Sequence, residues 1–242
     1  MDEPDRNKTT MLDVDGLDGY YADLQVLRGI SLHVDRGEIV ALFGPNGHGK
    51  STLLKTISGL HPAKGGTVRF NGQSITQLPS HKIVEAGLAY IPEERHLFRD
   101  MSVIENLNMG AYNLRARKSK AKNLDFVLET FPRLAERKDQ LCFTLSGGES
   151  RMVAIARGLM SEPQMLLVDE PSIGLSPSMR KAVFEAIARI NREKGISILI
   201  VEQEIRDALA LANRVYVLKR GDILFERLKA QVNIEEIEKA YF

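Results

Sequence analysis

The stretch EIVALFGPNGHGKSTLLKTISG, residues 38–59, sharply restricts what this chain can fold into. An apolar run, a glycine-rich loop and an amphipathic helix follow one another, and Gly44, Gly49, Lys50 and Ser51 satisfy the P-loop spacing. Glycine lets backbone N–H groups curl around an anion without a Cβ clash. Gly44, Pro45, Asn46, Gly47, His48, Gly49 and Thr52 are therefore read as walls of a phosphate cradle. Lys50 is expected to bridge the β- and γ-phosphates of ATP, and the Ser51 hydroxyl to hold Mg²⁺. The helix that follows aims its positive end at the same anion. Two readings of His48 stay open: an outward, solvated side chain, or a titrating group that tunes affinity with pH.

A second helix start of this kind lies far downstream, in TLSGGESRMVAIARGLM, residues 144–160. Met152, Ile155, Ala156 and Leu159 recur at helical spacing, Ser146 is the expected N-cap, and Gly147 and Gly148 open the helix. Such a start is itself an anion site. The first cradle leaves no room for it, so it is expected to serve a different nucleotide, on another subunit. QMLLVDE, residues 164–170, then reads as an apolar strand with two carboxylates at its tip. Asp169 is expected to hold Mg²⁺, directly or through water, and Glu170 to act as general base for an attacking water.

Around these motifs the chain reads as an α/β core with a helical insertion. MLDV, ISLHV, EIVALF and GTVRFNG are short β-rich stretches separated by turn residues. Residues 98–160 are predicted helical, with Leu124, Val127, Leu128 and Phe131 on a stripe that Pro132 stops. QMLLVD and ISILIVE suit strands covered on both faces. Between them a helix is predicted over 177–193, capped by Ser176, ended by Gly195, with Met179, Val183, Ile187 and Ile190 inward. RVYVLKRGDILFE reads as two strands turning at Arg220 and Gly221. Residues 1–10, polar and unlike a signal peptide, are expected to be a flexible lead-in to a single domain over 11–242.

Lys and Arg number 33 against 32 Asp and Glu, for a net charge of +1, so no nucleic-acid partner is expected. RARKSKAK, with Arg115, Arg117, Lys118, Lys120 and Lys122, reads as a solvated helix face in preference to a lipid-headgroup or nucleic-acid patch. Cys142, the only cysteine, is expected to be a buried inert thiol in a reducing compartment. No run approaches the ~18 apolar residues of a membrane span, so membrane contact is expected through partners.

With LSGGE standing between the P-loop and LLVDE, nearly the whole chain resembles the ABC (ATP-binding cassette) ATPases. The resemblance implies a P-loop NTPase (RecA-like) core, an antiparallel β subdomain and an inserted helical subdomain over about 98–160. In that family two cassettes face head to tail, and the signature of one closes on the γ-phosphate held by the other. Ser146, Gly147, Gly148 and Glu149 would then touch the partner's ATP. Tyr21 matches the aromatic that stacks on adenine, with Tyr20 as the competing tyrosine. In LAYIPEERHLF, Glu93 falls where most cassettes have a glutamine linking Mg²⁺ to the membrane partner; glutamate can still ligate the metal but adds negative charge. In ILIVEQE, Gln203 replaces the switch histidine; an amide can bond a γ-phosphate but cannot titrate, which leaves proton acceptance to Glu170. Ser176 stands where many cassettes have an aspartate that crosses the dimer.

IPEER, FPRL, EPSIGLSP, VEQ and the final KAYF resemble the LivF-type subgroup, the ATPases of branched-chain amino-acid importers. Glu and Gln at the positions of Glu93 and Gln203 are common there, whereas Ser150 and Arg151 depart from the usual glutamines. The resemblance implies a peripheral protein at the cytoplasmic face of the inner membrane, soluble when isolated. Its partners would be a second cassette (a homologous different subunit, or a second copy), two integral-membrane permease subunits and, indirectly, a periplasmic or extracellular solute-binding protein. Residues 93–108 would lie near the permease contact. Alternatives are a soluble ABC ATPase of the iron–sulfur assembly type, and an importer cassette for urea, amides or aromatic acids. A regulatory module that scarcely hydrolyses is a further class, against which Lys50 and Glu170 argue.

Overall fold

The computed structural model describes residues 9–21 and 24–241 of the chain. In order these form β1 (Thr10–Tyr21), β2 (Leu24–Asp35), β3 (Ile39–Phe43), α1 (Lys50–Ile57), β4 (Ala63–Phe70), β5 (Gln73–Ser74), α2 (Ser80–Ala86) and β6 (Leu88–Ile91). The helical insertion follows: α3 (Val103–Gly110), α4 (Leu114–Lys118), α5 (Lys120–Thr130), α6 (Pro132–Glu136) and α7 (Gly147–Leu159). The chain then returns to alternation with β7 (Met165–Asp169), α8 (Pro177–Lys194), β8 (Ser197–Val201), α9 (Ile205–Leu211), β9 (Arg214–Lys219), β10 (Asp222–Leu228) and α10 (Ile234–Ala240). Thr10 already pairs with Asp35 across β1 and β2, so regular structure starts at the last residue of the expected lead-in. Residues 1–8 of that lead-in lie outside the described residues.

The strands make two sheets. An antiparallel sheet runs β2-β1-β4-β5, and a mixed sheet runs β10-β9-β3-β8-β7-β6, parallel from β9 to β6. β3 is central and buried throughout, and its side chains alternate between two cores as the pleat demands. Ile39, Ala41 and Phe43 join the core made with α7 and α8, where Ile155, Val183 and Ile187 pack. Val40 and Leu42 face α1 and the antiparallel sheet, meeting Leu53, Leu54, Leu12 and Val14. This two-sided burial is why β3, β7 and β8 read as unbroken apolar runs.

The parallel strands end in register, with Asp169 opposite Val201 and Leu42 also opposite Val201. Their carboxyl ends therefore deliver Gly44, Glu170 and Glu202 to one edge of the sheet, the edge at which open α/β folds bind ligands. A Cβ on Gly44 would lie 2.1 Å from the Leu218 carbonyl oxygen, so the first residue of the loop has to be glycine. Pro132 does more than stop α5: it opens α6 as its first-turn proline. Ser176 caps α8 by accepting from the Met179 amide, and Gly195 ends it at φ 65°.

Candidate functional site

The glycine-rich loop leads from β3 into α1, whose N-cap is Gly49 at φ 107°, with no side-chain cap. Its first-turn amides are thus available to an anion. Lys50 is 4% exposed and donates to the carbonyls of Gly44 (2.7 Å) and Pro45 (3.2 Å), while its Nζ stands 3.5 Å from Glu170 Oε1. Burial pushes the lysine below its ordinary value, and the Glu170 charge opposes that. Asn46, Gly47, Gly49, Lys50, Ser51 and Thr52 line a cleft of about 400 Å³. Tyr21, 65% exposed, stands at its mouth with its ring 5.9 Å from that of His61. Tyr20 is half-buried and lines no part of the cleft. His48 is turned away and half-buried, its Nδ1 accepting from the Arg220 amide at 3.3 Å. Desolvation, with the charges of Lys50, Arg220 and Lys219, lowers its pKa.

Across the cleft, β7 presents the paired acids. Asp169 is 1% exposed; its Oδ1 accepts from Ser51 Oγ at 3.2 Å and its Oδ2 from Tyr90 Oη at 2.9 Å. Burial raises Asp169 against the pull of those two bonds. Glu170 sits in the left-handed region at φ 42°, unusual for a non-glycine residue, with its amide donating to Val201. Its Oε2 accepts from Gln203 Nε2 at 2.5 Å. Glu93 lines the same cleft, and desolvation together with the Glu170 and Asp169 charges raises its pKa. Among the described residues no cluster of three or more His, Cys, Asp or Glu could hold a metal by itself. The Ser51 hydroxyl, Asp169 and Glu93 are all oxygen donors. They suit Mg²⁺, which takes one or two carboxylates and completes its shell with phosphate and water.

The second glycine start is elsewhere. Ser146 caps α7 in a full capping box: its Oγ accepts from the Glu149 amide and donates to Glu149 Oε2 at 2.8 Å. Glu149 is 8% exposed, with its other oxygen 2.7 Å from Arg137 Nε. Its carboxylate is thus engaged within the cassette, by the cap and by Arg137. None of Ser146, Gly147 and Gly148 lines the lysine-loop cleft; Gly147 lines a neighbouring cavity of about 660 Å³, shared with Glu93 and Ile173.

The family profile described as ABC transporter matches residues 27–173. The chain belongs to the ABC transporter ATP-binding family. A high-affinity branched-chain amino acid transport ATP-binding protein of Pseudomonas aeruginosa, BraG, is 45% identical over 88% of the cassette and 91% of its own length. A probable branched-chain amino acid transport ATP-binding protein of Archaeoglobus fulgidus, LivF, is 36% identical over 86% of the cassette and 88% of its own length. Among solved structures, a nucleotide-free ATP-binding cassette from an ABC transporter superposes with a TM-score of 0.81 at 27% identity, covering 96% of this chain and 94% of that one. As a member of this family the cassette binds ATP and hydrolyses it to drive transport. Among its described residues, no helix is long and apolar enough to cross a membrane.

Motif reading missed four residues that shape the site. Tyr90 orients Asp169, and burial with the Asp169 charge raises its pKa far enough to keep it a donor. Glu202, 1% exposed, binds the amide and hydroxyl of Ser172, which tethers the turn after Glu170. Tyr241, just past α10, accepts from the Gly44 amide at 3.3 Å. Arg151 is fully buried, where its sequence context only marked it as a departure from glutamine. Each acts on a partner distant in sequence, so no local pattern announces it. Only the serine-to-glutamate spacing at 146–149 could have identified the capping box in advance.

Proposed function

We propose that the cassette powers uptake of branched-chain amino acids or a closely related solute, working at the cytoplasmic face of the inner membrane. It pairs head to tail with a second cassette and docks on two integral-membrane permease subunits, which receive solute from an external binding protein. The observation that carries this reading is the separation of the two glycine starts: the Ser146 clamp lies outside the cleft lined by Lys50, so it is free for a neighbour's nucleotide. The likeness to BraG and LivF supports the choice of solute.

In this reading Tyr21 stacks on adenine, and the 44–52 loop wraps the phosphates with Lys50 on the β- and γ-oxygens. Ser51, Asp169 and Glu93 would hold Mg²⁺, which when bound neutralises charge on those oxygens. Glu170 accepts the proton of the attacking water, its carboxylate aimed by the Gln203 amide. Gln203 keeps one charge state throughout, so it orients without exchanging protons. Loss of the γ-phosphate removes the contact shared between subunits, which opens the pair.

Affinity capture of the tagged cassette from solubilised membranes tests the reading. Recovery of two integral-membrane proteins and a second cassette, with leucine-stimulated ATP turnover once the binding protein is added, is the expected result. Recovery of scaffold proteins of iron–sulfur assembly would overturn it.

A further inference from the structure

Two arginines of α7 grip the segment that follows β6. Arg151, with no exposed surface, donates from Nη1 to the Pro92 carbonyl at 2.8 Å and from Nη2 to the Glu93 carbonyl at 2.6 Å. Arg157 reaches the carbonyls of His96 (2.9 Å) and Arg95 (3.2 Å) and lies 5.5 Å from the Phe98 ring centroid. Among the described residues neither forms an ion pair with a carboxylate, and Arg151 Nε has no partner at all. Burying an unpaired cation is costly. Burial depresses the Arg151 guanidinium, and the nearby Arg95 charge adds to that, while Glu93, Glu202 and Asp169 oppose it. The forked head is what the position uses: it satisfies two consecutive carbonyls at once, which neither a single amide nor an ammonium matches in geometry.

The two ends of this contact have separate duties. The segment held is the one that carries Glu93 to the lysine-loop cleft. The helix that holds it begins, five residues before Arg151, at the Ser146 clamp. We propose that Arg151 is a positioning residue that fastens the 92–96 segment to α7, so that Glu93 in this cassette's own site and the clamp for its partner's nucleotide shift as one body. The assignment rests on the head-to-tail reading above. Each nucleotide in the pair would then report its presence to the other site through a helix, without any change in the loop that holds it.

The test uses the full chain, alone and in its complex, with Arg151→Met, Arg151→Gln and Arg151→Lys. In the isolated chain, limited trypsin cleavage after Arg95 is expected to quicken at least tenfold in R151M while α7 stays uncut, with R151K intermediate. In the assembled complex, R151M is expected to lower kcat about tenfold or more with KM for ATP changed less than twofold, and R151K to recover part of the loss. Cleavage after Arg95 matching the wild type would overturn the proposal, as would kcat and KM changing together, or R151K being no better than R151M. If R151M does not fold, the contrast between R151K and R151Q decides by the same readings. Should the wild-type complex fail to couple ATP turnover to uptake, the function proposed above falls, while the cleavage measurement still judges the strap.

Discussion

Gln203 Nε2 donates to Glu170 Oε2 at 2.5 Å, joining the tips of two neighbouring parallel strands across the mouth of the cleft. An amide held this close fixes one oxygen of the carboxylate and leaves the other, 3.5 Å from Lys50, directed at the phosphate loop. Glu170 is thus aimed from both sides, on a backbone already in the left-handed region.

Glu170→Gln is expected to keep ATP binding and to lower turnover at least a hundredfold, the range usual for loss of a general base. The substitution also removes a charge that would repel the γ-phosphate, so the nucleotide-joined pair should persist. Light scattering with Mg²⁺ and ATP checks this: a lasting dimer in the variant, and a transient one in the wild type.

Gln203→Ala should lower kcat about tenfold by releasing the Glu170 carboxylate, with KM little changed. An unchanged kcat would mean that Gln203 does not aim the carboxylate.

Glu202 gives a pH test of the fold. Burial raises its pKa, against the hydrogen bonds from Ser172. A raised folded value means that the folded state holds the proton more tightly than the unfolded one. The stability from this group is therefore complete below the ordinary glutamate value and is lost as pH rises through the raised one. Glu202→Gln lacks that dependence. The unfolding midpoint of the variant minus that of the wild type should become more positive between pH 4 and pH 8, whatever its offset.

Ser146→Ala removes an N-cap and half of a capping box, which should cost about 1 kcal/mol and lower the melting temperature by roughly 2–4 °C. In a mixed pair, the same substitution in one cassette should slow hydrolysis at the site whose lysine loop belongs to the other. Vanadate trapping with one labelled subunit reads which site has failed.

Much of this site is legible in sequence because its chemistry is local. The lysine loop, the β7 acids and the α7 start are each built from adjoining residues, so spacing alone exposes them. Apolar runs marked β7 and β8 as covered on both faces, and Cys142 is indeed a buried thiol, 3% exposed, with burial raising its pKa. What stayed hidden depends on folding back. Arg151 meets carbonyls 58 and 59 positions earlier, and Glu149 turns inward because Arg137 waits there. His48 accepts from the β9–β10 turn, a neighbour 172 positions away that the loop's own sequence does not reveal.

The bond between the Gly44 amide and the Tyr241 hydroxyl spans 197 positions. During synthesis the phosphate loop leaves the ribosome long before the tyrosine that steadies it has been translated. The loop therefore spends most of that time without its last support, and a nascent chain should grasp ATP poorly until residue 241 has emerged and α10 has docked. Competence for nucleotide would then be acquired late, with the docking of α10.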